Sequence, residues 1–109
     1  MPEDRPTIST HVLDTGTGQP AAGVRVNCAL LEGDRWQSAG GGVTDRDGRI
    51  RDVLDGRDLA AGVYRLSFEL GPERFFEATT VDFRIEDVDR SYHVPLLVAP
   101  FGLSSYRGS

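Results

Sequence analysis

Short runs in which apolar and polar side chains alternate recur along the chain, and each run ends at a turn signal. In the first run, Thr7–Asp14, one face carries Ile8, Thr10 and Val12, as the side chains of a strand do. Further runs cover residues 24–30, 36–44, 49–53, 63–70 and 81–85, and residues 91–109 read as two short strands around a Pro-Phe-Gly turn. The pattern predicts seven or eight short strands in an all-β sandwich, with no helix longer than about two turns.

The segments between these runs carry more specific turn signals. Asp47-Gly48 predicts a tight type I′ hairpin between the third and fourth strands. Leu54–Ala61 is expected to be a loop with at most one helical turn, and Glu73–Ala78 either a brief helix or a plain connection. Pro95 interrupts a strand pattern and has no N–H, so we expect it at a sheet edge, at a bulge or facing a cavity.

Length, charge and cysteine content restrict the class of protein. The 109 residues predict a single domain over residues 1–109, of which residues 1–6 form a loose lead-in. A net charge of −5 argues against binding to nucleic acid or to an anionic membrane. No apolar run approaches the ~20 residues that span a bilayer, and the first residues do not resemble a secretory signal. Because Cys28 is the only cysteine, no intrachain disulfide is expected, and a cytoplasmic location fits.

The chain has two histidines, and strand parity turns both of them away from the core. His11 lies opposite Ile8 and Val12, while His93 lies opposite an apolar set formed by residues 92, 94, 96 and 98. They can meet only if their strands share a sheet or face each other across a subunit interface. Arg49 is the first side chain of the fourth strand.

Ordinary structural interpretations of these residues remain open at this point. A lone histidine is more often a surface or structural residue than a catalytic one, and Arg49 fits an exposed hairpin position. Cys28 fits a buried small hydrophobe, and Asp14 fits a turn acceptor. Two histidines without a His-x-His spacing do not make a tetrahedral metal site, and no nucleophile elbow or phosphate loop is present. Periodicity alone supports a sandwich and two candidate histidines.

Three segments resemble, in order, the motifs of the 5-hydroxyisourate hydrolases, the transthyretin-related enzymes of urate breakdown. The opening motif covers Ser9–Thr15 and Gly18–Val24, and the middle motif covers Thr44–Arg49. The closing motif runs from His93 through Leu97 to the ending Tyr-Arg-Gly-Ser, residues 106–109, which transthyretin itself lacks.

The resemblance implies a transthyretin-like sandwich of two four-stranded sheets with at most one short helix. It also implies a homotetramer with active sites at the dimer–dimer interface, and hydrolysis of 5-hydroxyisourate to 2-oxo-4-hydroxy-4-carboxy-5-ureidoimidazoline. No metal or organic cofactor is implied. By family motif, the catalytic residues are His11, Arg49 and His93, and substrate binding falls to His11, Arg49, Tyr106, Arg107, Gly108 and Ser109.

The sequence departs from the family pattern away from these residues. The segment around Gly71-Pro72 is short, so the short helix of the family is expected to be reduced or lost. Other departures are Ser91, Ala99, Phe101, Leu103 and the run Phe75-Phe76-Glu77-Ala78. Two other functions stay open: a transthyretin-like module that binds a small ligand without turning it over, and a purely structural or adhesive sandwich. The matched polar residues favour the enzyme over both.

Overall fold

A computed structural model describes residues 5–108, and every regular element in that range is a β-strand. The longer strands show the alternation of buried and exposed side chains, and several others have only two residues. The strands are β1 Ile8–Asp14, β2 Gln19–Pro20, β3 Arg25–Glu32, β4 Arg35–Val43, β5 Arg49–Ile50, β6 Gly62–Glu69, β7 Ala78–Ile85, β8 Tyr92–His93, β9 Leu96–Ala99 and β10 Gly102–Ser105.

The strands form two sheets, which confirms the all-β sandwich. One is four-stranded and antiparallel, in the order β4-β3-β6-β7. The other has six strands arranged around β1, in the order β10-β9-β1-β2 with β5 and β8 also paired to β1. The number of strands exceeds the four expected for this sheet, partly because Val94 and Pro95 separate β8 from β9. Both of these strands run parallel to β1.

The core lies between the sheets and follows the predicted parity. Along β1 the buried side chains are Ile8, Thr10 and Val12, and the Thr10 hydroxyl donates to the Val94 carbonyl at 2.6 Å. A buried hydroxyl therefore has its acceptor inside the core, which avoids the cost of an unpaired polar group. The facing sheet contributes its own alternating set, including Val26, Cys28, Tyr64, Leu66 and Phe68.

Two of the three consecutive glycines in β4, Gly40 and Gly41, have a packing role. Gly40 and Gly41 have φ values of +148° and +145°, and Gly41 N donates to the Val53 carbonyl at 2.8 Å. A Cβ on Gly40 would stand 2.1 Å from that same carbonyl oxygen. The glycines thus let the backbone after β5 lie directly on the four-stranded sheet. From the sequence, the same glycines indicated only a weakened third strand.

The turn at Asp47-Gly48 is not the predicted hairpin. Only Gly48 of the two has a positive φ, +76°, so the type I′ prediction is wrong. The turn also joins different sheets, because β4 pairs with β3 while β5 pairs with β1. The fourth strand is shorter than the predicted 49–53 and ends at Ile50.

The two segments in which a short helical turn was left open, Leu54–Ala61 and Glu73–Ala78, contain none. Residues 53–56 form a turn inside a loop, and residues 72–76 are turns and bends. The expected loss of the short helix after β6 is therefore observed. At the other end, Arg5 donates to the Asp52 carboxylate at 3.2 Å, while residues 1–4 of the predicted lead-in lie outside the described residues. None of the described segments is a helix long and apolar enough to cross a membrane.

Candidate active site

The outward face of the six-stranded sheet brings the three predicted catalytic residues together across three strands. On one side of β1, His11 is paired with Arg49 of β5, and on the other side Ser9 is paired with His93 of β8. Directly opposed residues of neighbouring strands point to the same face. Ser9 and His11 share that face of β1, so both histidines and the arginine lie on one surface.

A cleft of about 270 Å³ opens on this surface. His11 flanks it on β1, next to Arg49. Its lining combines hydroxyl groups, an imidazole and guanidinium groups, and contains no carboxylate among the described residues. The lining residues are Ser9, Thr10, Arg49, Ile50, Arg51 and His93.

His93 is the titratable group with the most perturbed surroundings in this cleft. Burial lowers its pKa below the ordinary 6.5, and the positive charge of Arg49 and the neighbouring His11 lower it further. Hydrogen bonding with the main chain of Ser9 acts in the opposite direction. The Ser9 Oγ lies 2.8 Å from the His93 Nδ1. A lowered pKa keeps the imidazole neutral near pH 7, the state in which it can accept a proton.

The position of Arg49 is fixed by the turn before it. The Asp45 carboxylate accepts hydrogen bonds from the backbone N–H of Asp47 at 2.9 Å and of Arg49 at 3.0 Å. Hydrogen bonding to the Arg49 N–H, together with that to Asp47, lowers the pKa of Asp45 despite an opposing effect of desolvation. Within residues 5–108 no carboxylate forms an ion pair with the Arg49 guanidinium.

The chain end reaches the same site through Gly108. Its N–H donates to the His93 carbonyl at 2.8 Å. A Cβ at position 108 would stand 2.6 Å from the His93 Cδ2, so only glycine fits against this face of the ring. The prediction for Ser109 lies outside the described residues.

Tyr106 and Arg107 lie along a different cavity in the single chain. This cavity, of about 190 Å³, is mainly apolar and opens between strand edges of the two sheets. The Arg107 guanidinium lies 4.8 Å from the centre of the Tyr92 ring, as in a cation–π contact. The polar cleft contains the titratable side chain of His93 beside Arg49, so it is the candidate site. The substrate-binding role of Tyr106 and Arg107 stays a prediction.

Metal-binding clusters are absent from the part of the chain that the structure describes, where no group of three or more His, Cys, Asp or Glu side chains could hold an ion. Cys28 is buried in the core, and desolvation raises the pKa of its thiol to about 12. A thiol with that pKa is neutral at physiological pH and unsuited to nucleophilic chemistry.

Two residues that shape this site were not assigned to it from the sequence. Ser9 contacts His93, and Asp45 anchors the backbone of Arg49. Two signals were available for Ser9: its place at the start of the opening motif, and its position two residues before His11 on the same strand face. Its partner depends on how β1 and β8 align, which no local pattern specifies.

The sequence matches a family model and is similar to several named proteins. The family model described as "HIUase/Transthyretin family" matches residues 8–108. A protein of Caulobacter vibrioides named 5-hydroxyisourate hydrolase is 41% identical over 113 residues, covering 94% of this chain and 97% of that protein. A protein of the same name from Halalkalibacterium halodurans is 43% identical, again over 94% of this chain and 97% of its own length.

Solved structures agree with the sequence relatives. The Klebsiella pneumoniae 5-hydroxyisourate hydrolase superimposes with a TM-score of 0.79 and 39% identity, covering 95% of this chain and 99% of that one. Transthyretin from Sparus aurata superimposes with a TM-score of 0.81 but only 27% identity, over 95% of this chain and 97% of its own. The transthyretin-like sandwich is thereby confirmed, and the sequence identity is higher to the hydrolases than to transthyretin.

Proposed function

The chain belongs to the HIUase/Transthyretin family, and we propose that it is a 5-hydroxyisourate hydrolase acting in urate degradation. The observation that carries the proposal is the meeting of His11, Arg49 and His93 on one face of the six-stranded sheet, beside a polar cleft. A module that only carried a ligand would not require a neutral imidazole next to a guanidinium.

The proposed reaction is the addition of water to a cyclic amide carbonyl. The water oxygen forms a bond to the carbonyl carbon, the ring C–N bond breaks, and the water proton passes to the departing nitrogen. The product is 2-oxo-4-hydroxy-4-carboxy-5-ureidoimidazoline, with a carboxyl group, which then ionises and releases a proton, and a ureido group where the ring was closed. No metal or organic cofactor takes part in this scheme.

His93 and His11 position the water and take its proton in this proposal. The support is that burial keeps His93 neutral at physiological pH, which suits a general base. Proton transfer to a well-placed base contributes about 10²–10⁴-fold to the rate of such reactions. Having two imidazoles on one face also provides a group that can return the proton to the leaving nitrogen.

Arg49 holds the substrate and the developing oxyanion. A planar, carbonyl-rich and readily anionic substrate presents an edge that the guanidinium fork matches with paired donors. Negative charge that develops on the attacked carbonyl is stabilised by the same group without reorganisation. The tail residues Tyr106, Arg107, Gly108 and Ser109 contribute substrate contacts and exclude water in the assembled enzyme, which is the role that the family motif assigns to them.

The proposal includes a homotetramer with active sites at the dimer–dimer interface, and a cytoplasmic location. Support for assembly comes from an exposed aromatic cluster formed by Phe75, Phe76 and Phe101, which are 67%, 37% and 78% exposed. Apolar patches of this kind commonly mark protein interfaces. The single cysteine is free and buried, which suits a reducing compartment.

The direct test generates 5-hydroxyisourate from urate with urate oxidase and follows the decay of its ultraviolet absorbance. We expect the purified protein to accelerate this decay well beyond the spontaneous rate. Decay at the spontaneous rate would refute the hydrolase assignment, and binding of the compound without turnover would favour a carrier module instead.

Site variants locate the activity. His93→Ala is expected to lower kcat/KM by about 10²–10⁴-fold, and Arg49→Ala by about 10²-fold or more. Arg35→Ala is the matched control, because Arg35 is an exposed strand arginine of the other sheet. Full kcat/KM in the His93 or Arg49 variant would remove these two residues from the mechanism even if the hydrolase activity held.

A further inference from the structure

Ser9 begins the opening family motif without an assigned role, yet it contacts the candidate base directly. Its Oγ lies 2.8 Å from the Nδ1 of His93, and both side chains are partly buried. The two residues are register partners across the parallel β1–β8 pair, so the contact is set by the sheet and not by a flexible loop. We propose that Ser9 is a positioning residue that holds the proton of neutral His93 on Nδ1 and leaves Nε2 as the acceptor facing substrate.

The backbone around this pair leaves His93 little freedom. Val94 N donates to the Ser9 carbonyl at 2.9 Å, and Gly108 N donates to the His93 carbonyl at 2.8 Å. The tail glycine also lies against the ring edge at Cδ2, where a Cβ would come within 2.6 Å. The ring is therefore held at its main chain, at Cδ2 and at Nδ1, and Nε2 is the nitrogen that remains for chemistry.

The proposed tautomer is the one in which the Ser9 hydroxyl accepts from the ring. A hydroxyl both donates and accepts hydrogen bonds, so the 2.8 Å contact fits a proton on Nδ1, and only in that form can Nε2 act as a base. The hydrogen bond made by one ring nitrogen decides whether the other is protonated. In water a neutral imidazole prefers its proton on Nε2, so without Ser9 the base would spend most of its time in the unproductive form.

Within residues 5–108, the one side-chain hydrogen bond of the His93 ring is the contact with Ser9. Three charged or titratable groups face His93: Arg49 of β5, Arg51 directly after β5, and His11 of β1. Of the C-terminal tail, Gly108 lies next to His93 within the described residues, and it carries no titratable group. Both arginines only donate, so Ser9 supplies the acceptor at Nδ1 within residues 5–108. This assignment deepens the proposed function and names His93, not His11, as the base.

The first experiment reads the tautomer and needs no activity. The protein has two histidines, so a long-range ¹H–¹⁵N correlation spectrum above the imidazole pKa values shows two ring systems, assigned with the His11→Asn variant. We expect neutral wild-type His93 to carry its proton on Nδ1, and Ser9→Ala to shift the population toward the Nε2–H form. A wild-type His93 with its proton on Nε2 would overturn the proposal, whether or not the protein hydrolyses 5-hydroxyisourate.

The second experiment uses hydrolysis and therefore rests on the proposed function. Ser9→Ala is expected to lower kcat by about tenfold with little change in KM, as for the loss of one hydrogen bond to an ionisable group. Removal of that bond destabilises imidazolium, so the acidic limb of the kcat/KM profile moves to lower pH. Ser9→Thr, which keeps the hydroxyl, should restore most of kcat.

Ser67→Ala provides the matched control, because Ser67 is a partly buried strand serine in the other sheet. Equal kcat in Ser9→Ala and Ser67→Ala, or a shift of the acidic limb to higher pH, would overturn the positioning role. If Ser9→Ala does not fold, the tautomer of the wild-type protein still decides the matter.

Discussion

At the scale of single residues, the site depends on small groups placed against His93. A serine hydroxyl holds one ring nitrogen, and a glycine lies where any side chain would strike the ring. Burial and neighbouring positive charge keep the imidazole neutral. Each of these effects acts on the orientation or protonation of one side chain, so substitutions here should change turnover more than stability.

The pH dependence of turnover should reflect the lowered pKa of His93. A general base is active when neutral, so kcat/KM is full above its pKa and falls as the pH drops below it. Because burial lowers that pKa from 6.5, we expect the acidic limb of the profile to have its midpoint below pH 6.5. Initial rates, corrected for spontaneous decay at each pH, measure this midpoint. A midpoint at or above pH 6.5, with circular dichroism showing an intact fold, would contradict the assignment.

Replacement of Gly108 should damage activity without damaging the fold. In Gly108→Ala the new methyl group would meet the His93 Cδ2 at 2.6 Å, so the ring or the tail must move. Misplacement of a catalytic group by about 1 Å can cost on the order of 10²-fold in rate, and we expect a loss of that size in kcat/KM. The melting temperature should change little, because the tail lies at the surface.

Gly102→Ala is the control for this comparison. Gly102 lies in β10, and the nearest atom to an added Cβ is the Ala99 Cβ at 4.0 Å. The control should therefore keep both activity and melting temperature. Equal activity in the two variants would show that the tail does not press on His93.

At the scale of elements, β1 is the strand on which the site depends. Its inner face contributes Ile8, Thr10 and Val12 to the core, while its outer face carries Ser9 and His11. Pairing with β5 and β8 then brings Arg49 and His93 to the same face. A one-residue slip of either pairing would turn these side chains away from the cleft, so the buried face of β1 also protects the geometry of the site.

The turn before β5 should tune activity through its hydrogen bonds. Asp45→Ala removes the acceptor for the N–H groups of Asp47 and Arg49. We expect kcat/KM to fall by about tenfold, because the backbone of Arg49 is then no longer held in place. Asp45→Asn keeps an oxygen acceptor and should lose less. Asp47→Ala removes the same charge from the same turn, and the Asp47 carboxylate accepts no hydrogen bond from the described residues. If Asp47→Ala and Asp45→Ala are equally impaired, local charge and not the turn geometry is responsible.

This turn also shows where local sequence patterns stop being informative. Parity correctly predicted the inward and outward faces of β1 and, apart from the buried Pro95, of the segment around His93, because a period of two is a property of each strand alone. Asp47-Gly48 looked like a hairpin, yet its strands belong to different sheets. Gly48 is required there because a Cβ would lie 2.5 Å from the Val12 carbonyl oxygen, a contact with a strand far away in the sequence. The Ser9–His93 contact was missed for the same reason.

At the scale of the whole molecule, the single chain gathers the acid–base groups but leaves part of the family motif elsewhere. Tyr106 and Arg107 line the apolar cavity next to β7, not the cleft at His93. No single-chain pattern predicts which surfaces meet in an assembly. The motif residues could be assigned to substrate only through the family resemblance, and the proposed tetramer is the state in which that assignment is to be tested.

The aromatic cluster formed by Phe75, Phe76 and Phe101 offers a way to test the proposed tetramer. Phe101 lies at the tip of the β9–β10 turn, 78% exposed, and its ring meets Phe75 edge to face with centroids 5.7 Å apart. Exposure on this scale leaves most of the ring available to a partner subunit, and buried aromatic anchors dominate the energy of many interfaces. We therefore expect Phe101→Ser to weaken assembly by more than 2 kcal/mol, about 30-fold in the dissociation constant, while the melting of each sandwich changes little.

The measurement is light scattering combined with specific activity over a dilution series. The variant should dissociate at concentrations where the wild-type protein stays assembled, and its specific activity should fall in parallel because the site is proposed to lie between subunits. Val88→Ser is the control, since Val88 is 39% exposed in a loop outside the cluster. A Phe101 variant that dissociates but keeps full specific activity would place the whole site within one chain. One that stays assembled would exclude the aromatic cluster as the interface.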